Sequence, residues 1–178
     1  MTNVTMVTQK EIFSSILERY ERLKEPGNLR AGTPPLTIGV PQNVIVVKRG
    51  DTVNSSRNKY HPRFVLLVNL TTPGSVILEH SRHRFLPRQF MLIFPYQVHL
   101  YTDFEAGHLD WIRVSFTLHD PGEVELLRNR PPVPMNKRAL AALNRVLACA
   151  LSGRRGPRSN ELVLNTALLI NELLLQQK

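Results

Sequence analysis

Cysteine is nearly missing from this chain. Cys149 is the only one in 178 residues, so no disulfide can close within the chain and no cysteine-based zinc site can form. Long apolar runs are missing too: no window approaches the ~18 consecutive apolar residues of a membrane-crossing helix, and the opening MTNVTMVTQKE has no apolar stretch of a secretory signal. The expectation is a cytoplasmic protein with no membrane partner. No phosphate loop, dinucleotide fingerprint, internal repeat or low-complexity tract is present. What remains is ordinary for a globular protein, 42% hydrophobic and 21% charged, which excludes disorder as a description of the whole. A chain of this size buries roughly 70% of the surface its unfolded form exposes.

Charge is lopsided: 23 Lys and Arg stand against 14 Asp and Glu, a net +9. Such a balance invites a nucleic-acid reading, so its distribution matters. Residues 1–35 carry 5 basic and 4 acidic side chains, 36–118 carry 9 and 5, and 119–178 carry 9 and 5. The excess is spread. Local basic spots at Lys48–Arg49, Arg82–Arg84 and Arg154–Arg158 lack the interleaved aromatics of a binding module, and the pattern reads as solvated surface charge.

Residues 8–24 form an amphipathic helix by pattern: Thr8 precedes Glu11 by three, a capping-box spacing, and Ile12, Ile16, Tyr20 and Leu23 share one face. Pro26, Gly27, Gly32, Pro34 and Pro35 then make 25–35 a connector. From Leu36 to Leu118 the period changes to short runs of β-branched and aromatic residues punctuated by Pro, Gly, Asn and Asp, which predicts strands near 36–40, 43–49, 61–70, 74–79, 82–86, 89–94, 97–102 and 109–118. So many short strands fit a sandwich or jelly-roll barrel. The predicted divisions are 1–35, an N-terminal helix and connector; 36–118, a β-barrel; and 119–178, a helical segment.

That segment holds two helices by pattern. The first, over 137–151, has Asn136 as its N-cap, a stripe of Leu140, Leu143, Leu147 and Leu151, and Gly153 beyond its end. The second begins near Asn160 with Val163, Ala167, Ile170 and Leu174 on one seam and leucines on both flanks. A helix apolar over most of its circumference needs two neighbours, either both within the chain or one from a second subunit.

Alternation gives the β region two chemically distinct faces. His61, Arg63 and Asn69, then Gln97, His99 and Tyr101, then Trp111, Arg113 and Ser115 fall on odd numbers, whereas their even neighbours, such as Phe64, Leu66, Phe90, Leu92, Val114 and Phe116, are apolar. Periodicity leaves two arrangements open. Either the apolar set fills the barrel and the polar set faces water, or the polar set lines a cavity and the apolar set packs beneath helices.

The stretches HPRFVLLVNL at 61–70, GSVIL at 74–78, RFLPRQFMLIFPYQVHLY at 84–101 and WIRVSF at 111–116 resemble the N-terminal cupin-type effector-binding and dimerisation domain of AraC-family transcription regulators. The resemblance covers 36–178. It implies a mainly β fold, a cupin-like jelly-roll barrel followed by a C-terminal helical hairpin that pairs subunits, with Val163, Ala167, Ile170 and Leu174 as its interface. It also turns the odd-numbered set inward, making His61, Arg63, Asn69, Gln97, His99, Tyr101, Trp111 and Arg113 the expected ligand-binding residues. One departure is visible: Arg88 and Gln89 follow Pro87 where the family has Pro then Gly.

On this reading the protein is no enzyme; it senses a small-molecule effector, forms a homodimer, and meets DNA only through a module absent from this chain. Arg63 and Arg113 suit a carboxylate or phosphate, while Tyr101 and Trp111 suit a ring, so the effector is expected to be a small anion or sugar-like acid, unless Glu79 or Asp110 pairs with the arginines. The alternative is a small metal-dependent cupin enzyme. His61 and His99 stand where such enzymes have imidazoles, but Arg63 occupies the second His place and Leu66, Leu67 and Val68 the carboxylate places. Two imidazoles fall short of a usual catalytic ligand set, so neither metal nor cofactor is expected. Ser115 has no activating triad by pattern, and Cys149 sits between Ala148 and Ala150 as a small filler.

Overall fold

A computed structural model of the chain describes residues 13–14, 17–19, 38–49, 61–105, 109–152 and 159–176. The chain divides into two compact units, Met1–Pro35 and Leu36–Lys178. In the first, residues 13–14 and 17–19 are helical and exposed, within the span predicted as a helix; the rest of that helix and the connector lie outside the described residues.

The described part of the second unit holds strands β1 (Gln42–Arg49), β2 (Phe64–Asn69), β3 (Gly74–Leu78), β4 (Ser81–Phe85), β5 (Gln89–Ile93), β6 (His99–Thr102), β7 (Trp111–Thr117) and β8 (Val133–Pro134). A 3-10 helix, Gly122–Leu127, and helices α1 (Lys137–Leu151) and α2 (Ser159–Leu175) complete it. The strands form two antiparallel sheets, in the orders β1-β7-β2-β5-β8 and β4-β3-β6. The chain changes sheet after β2, β4, β5 and β6. Repeated crossing between two antiparallel sheets is the jelly-roll arrangement, and the fold is the predicted one, mainly β with a C-terminal helical pair. The predicted strand at 36–40 is not formed at 38–40.

Several of the crossings place a residue with a side chain in the left-handed region that favours glycine. Arg88 is one, with φ 61°. Its N–H donates to the Asn69 carbonyl at 2.8 Å and its own carbonyl accepts from the Met135 N–H at 2.8 Å, so the turn clamps β2, β5 and the approach to α1 despite the missing glycine. Gly74 meets a different demand. A Cβ there would stand 2.9 Å from the Trp111 ring and 3.0 Å from Phe104, so only glycine lets β3 come this near the indole.

The five-stranded sheet separates two cores. On its outer face Phe64, Leu66, Val68, Phe90, Leu92, Val114 and Phe116 join Ala139, Ala142, Leu143 and Val146 of α1 and Leu169, Ile170, Leu173 and Leu174 of α2. Each fully buried Leu or Phe contributes ~1.5–3 kcal/mol by leaving water. On its inner face Val65, Leu67, Met91, Ile93 and Trp111 meet Val76, Leu78, Phe85 and Tyr101 of the other sheet. The apolar even-numbered set therefore packs beneath helices and the odd-numbered set looks into the space between sheets.

Helix α1 starts as predicted, with Asn136 Oδ1 accepting the Ala139 N–H at 2.9 Å. Its buried stripe corrects the predicted one. Ala139, Ala142, Leu143 and Val146 are covered, whereas Leu140 is exposed and Leu151 is 86% exposed; the buried face is the one that joins the core shared with α2, and it leaves the two ends of the leucine stripe outside. In α2 the predicted seam is divided: Ile170 and Leu174 are buried in the chain's own core, while Val163 and Ala167 are half-buried. The apolar residues left exposed on α2 are Leu164, Leu168 and Leu175.

Candidate functional site

The interior is built by register. Across the five-stranded sheet Val47 lies opposite Arg113 and Arg113 opposite Leu67, so these three share one inward-facing row; Arg49, Trp111 and Asn69 make the next. From the smaller sheet, Leu78 opposite His99 and Val76 opposite Tyr101 supply the facing wall. Aromatic edges link the walls. His61 and His99 rings lie edge-on at 5.6 Å, His99 and Tyr101 at 5.3 Å, Tyr101 and Trp111 at 5.8 Å, and Trp111 and Phe85 at 4.8 Å. These separations are typical of favourable tilted pairs.

The eight predicted ligand residues fall into two groups. Asn69, Gln97 and Trp111 use polar atoms to hold the barrel together. Asn69 donates to the carbonyls of Thr72 and Phe85 at 2.9 and 2.8 Å, and the Trp111 indole N–H donates to Thr72 at 2.8 Å. Gln97 accepts the Phe94 N–H at 2.7 Å and donates to Asn129 at 2.5 Å. His61, Arg63, His99, Tyr101 and Arg113 gather elsewhere, toward the side where β1 and β6 are the respective edge strands. There Arg49 lies 4.3 Å above the Tyr101 ring, a cation–π contact bridging the two edges. Just inside is a cavity of about 160 Å³ lined by Val47, Lys48, Arg49, Leu67, Tyr101 and Arg113, room for roughly five waters' volume.

Sequence reasoning missed Arg49. The signal was present: β1 continues the odd-numbered alternation through Val47 to Arg49, in register with Arg113 and Trp111.

Charge in this corner is unbalanced. Arg63 and Arg113 are half-buried, and the Nε of each is buried without a hydrogen-bond partner. The Arg63 guanidinium donates to the carbonyls of Asn43 and, at 3.4 Å, Ser115. Neither arginine makes an ion pair with a described residue; the ion pairs there join Arg82 to Asp103, Arg84 to Glu105 and Arg128 to Glu125. The carboxylates suspected as their partners are engaged otherwise: Glu79 accepts the Val98 N–H at 3.2 Å and Asp110 accepts the Thr71 hydroxyl at 2.7 Å. Burial, the Arg113 charge and the Arg63 charge all hold the His61 imidazole below its usual range. Burial pushes the Tyr101 hydroxyl up to about 12, opposed by Arg49 and Arg113, so it remains a neutral donor at physiological pH.

This donor set does not fit a metal centre. His61 and His99 are adjacent, but guanidiniums face the pair, and the described residues contain no group of three His, Cys, Asp or Glu able to hold a metal ion. Two larger apolar grooves lie outside the barrel. One, of about 400 Å³, runs between β1, β7 and the end of α1 past Ile112, Leu147 and Leu151; the other, of about 380 Å³, lies beside α2 along Ile38, Val40, Leu164 and Leu168. Lys48 and Asp110 are the charged residues lining the first and Asn171 the polar one lining the second, the rest of each lining being apolar, so the smaller barrel cavity, with Arg49, Tyr101 and Arg113 together, is the better ligand site despite its size.

Fold and interior together define a jelly-roll barrel domain with a cationic, aromatic-walled cavity and a C-terminal helical pair. No protein-family profile and no curated protein matches the sequence. Among solved structures, the chain is similar to a candidate mannose-6-phosphate isomerase of Ralstonia eutropha, at 13% identity and a TM-score of 0.32 over 53% of this chain and 98% of that one. It is also similar to a cupin-2 domain protein of Rhodospirillum rubrum, at 13% identity and a TM-score of 0.32 over 75% of this chain and 87% of the other. The strand order and sheet crossings described above define the barrel without help from either, and no helix among the described residues is long and apolar enough to cross a membrane.

Proposed function

We propose that residues 36–178 are the ligand-sensing and dimerising part of an AraC-type transcription regulator and that the barrel holds a small anion. One observation carries this reading: the half-buried Arg113 lines the barrel cavity without an ion pair to a described carboxylate, and the half-buried Arg63, held on the Asn43 and Ser115 carbonyls, makes none either. Desolvating charge is costly unless it is paired, and a bound carboxylate or phosphate supplies the missing charge in a forked geometry that guanidinium matches. Tyr101 gives such an anion a neutral donor, and the Tyr101 and His99 rings give it flat walls. No step of bond-making is required of the site, and the resemblance in 61–116 to AraC-type domains supports a sensor over a catalyst.

The same reading gives the exposed leucines of α2 to a second copy of the chain. Leu164 and Leu168 are 59% and 50% exposed and line an apolar groove with Ile38 and Val40, a surface that favours association over solvation. DNA is left to a module that these residues do not include.

The test is thermal stability across a panel of small carboxylates, phosphates and neutral metabolites, read with molar mass in solution. A true ligand at about 100 times its dissociation constant adds ~2.7 kcal/mol. Stabilisation confined to anions, and lost when Arg63 and Arg113 are both replaced by Ala, is the expected result. Stabilisation by neutral compounds that survives the double replacement would remove the anion site, and a monomeric mass unaffected by Leu164→Glu would remove the dimer.

A further inference from the structure

We infer that Arg49 and Arg113 make the barrel cavity a site for a compact dianion, an oxyanion of about five non-hydrogen atoms, and that Arg49 sets its preference for two negative charges over one. The inference rests on the anion reading and adds to it the size and charge of the ligand.

Register places the two guanidiniums on one wall. Across the β1–β7 pair Arg49 lies opposite Trp111 and Val47 opposite Arg113, so Arg49 and Arg113 are diagonal neighbours on the inward face, a separation within reach of long side chains. Both line the cavity. Lys48, the third cation of that lining, lies opposite Ile112 of the outer core, and alternation sends its ammonium away from the barrel. Arg63 stands outside the lining, on the Asn43 and Ser115 carbonyls. Tyr101 supplies the opposite wall, and the Arg49 guanidinium is stacked 4.3 Å above its ring. Stacking occupies the face of a guanidinium, whereas its five N–H donors lie in its plane. The contact therefore orients the fork without consuming it.

Size is limited by what surrounds the pair. Val47 and Leu67 bound the cavity, and beyond them Trp111 is packed against Phe85, Tyr101 and Phe104. The space of about 160 Å³ that is left falls well short of the ~300–1,000 Å³ of pockets that enclose drug-sized molecules. It suits an anion without a tail, and the sugar-like acid anticipated from the sequence is too large for it. Charge narrows the choice again. A single negative charge balances one guanidinium, whereas a dianion engages both forks at once. No carboxylate is among the described residues that line the cavity.

The probes are sulfate and oxalate, both compact dianions, acetate, which is compact with one charge, and succinate, a dianion on a longer chain. Each is titrated calorimetrically into the whole chain at constant ionic strength near pH 7, where every carboxylate is ionised. Sulfate, oxalate or both are expected to bind at least about tenfold more tightly than acetate and succinate; sulfate alone assigns the site to tetrahedral oxyanions, and oxalate alone to planar dicarboxylates. Arg49→Met is expected to lower affinity for the bound dianion roughly 10–100-fold, as for a lost hydrogen bond between charged groups, and for acetate less than about threefold. Acetate or succinate binding at least as tightly as the compact dianions overturns the assignment of size and charge and leaves the anion site intact. So does an Arg49→Met chain that loses dianion and acetate equally, or loses neither. The ligand series needs only the unmodified chain and stands even if the variant fails to fold. Failure of all four probes to bind overturns the anion reading and this inference with it.

Discussion

Neighbouring residues of a single strand, β7, live in two different chemistries. Ile112, Val114 and Phe116 lie under helices α1 and α2, in an apolar layer without a charged member. Trp111, Arg113 and Ser115 look the other way, into a barrel where aromatic rings share space with an Arg113 that makes no ion pair with a described residue. The first face is arranged for stability, because every group on it gains by leaving water. The second retains a guanidinium that an apolar side chain would replace at no loss to the fold, so its presence is better explained by something bound than by the protein's own packing.

That contrast can be broken with one pair of substitutions, and this is the largest effect expected. Phe116→Ala, on the helix side, empties a fully buried aromatic site and costs about 3–5 kcal/mol. Arg113→Met, three residues earlier on the barrel side, leaves stability unchanged or raises it by up to ~1 kcal/mol while abolishing stabilisation by anions. Urea unfolding of both, with and without sulfate, reads the difference. An Arg113→Met loss as large as that of Phe116→Ala would mean that the arginine is structural and that the two faces differ less than their composition implies.

A second substitution asks whether the barrel is hollow throughout or only at one end. Around Trp111 it is filled: the ring meets Phe85, Tyr101 and Phe104, and Gly74 presses against it. Gly74→Ala drives a methyl into that packing and is expected to cost about 1–3 kcal/mol, lowering Tm by roughly 2–4 °C per kcal/mol for a chain of this size. An unchanged Tm would show slack around the indole and extend the cavity from Arg113 toward Trp111.

Much of this was legible beforehand, and the reasons are local. Alternation along β2, β5 and β7 is dictated by the strand period, so the division into an apolar and a mixed face needed no structure. Asn136 announced the start of α1 because an Asn ahead of an apolar-periodic run has one strong use. What could not be read depended on neighbours distant in sequence. Which leucine flank of α2 is buried is decided by where its neighbours lie, and so Leu169 and Leu173 go inward and Leu164 and Leu168 remain outside. The burial of Ala139 and Ala142 while Leu140 and Leu151 stay out follows from how α1 is rotated into the core it shares with α2. Arg49 belongs to the site because its guanidinium reaches from β1 to the Tyr101 ring of β6, a contact between sheets that no period encodes. The two-residue β8 and the 3-10 helix Gly122–Leu127 are too short to leave a pattern.

The smallest effect expected lies on neither face, which makes it a control for both. Arg88 sits in the Pro87 turn with φ 61°, a conformation costing a side-chain-bearing residue roughly 1–2 kcal/mol. Glycine would remove that strain, at the expense of about 0.5–1 kcal/mol of extra chain entropy in the unfolded state. The backbone bonds from Arg88 to Asn69 and from Met135 to Arg88 use main-chain atoms and survive the change. Arg88→Gly should therefore stabilise by about 0.5 kcal/mol, visible as a shifted urea midpoint at constant slope, with anion affinity unmoved. If anion affinity shifts as well, the turn communicates with the cavity through β2 and β5, and the sheet cannot be treated as two independent faces.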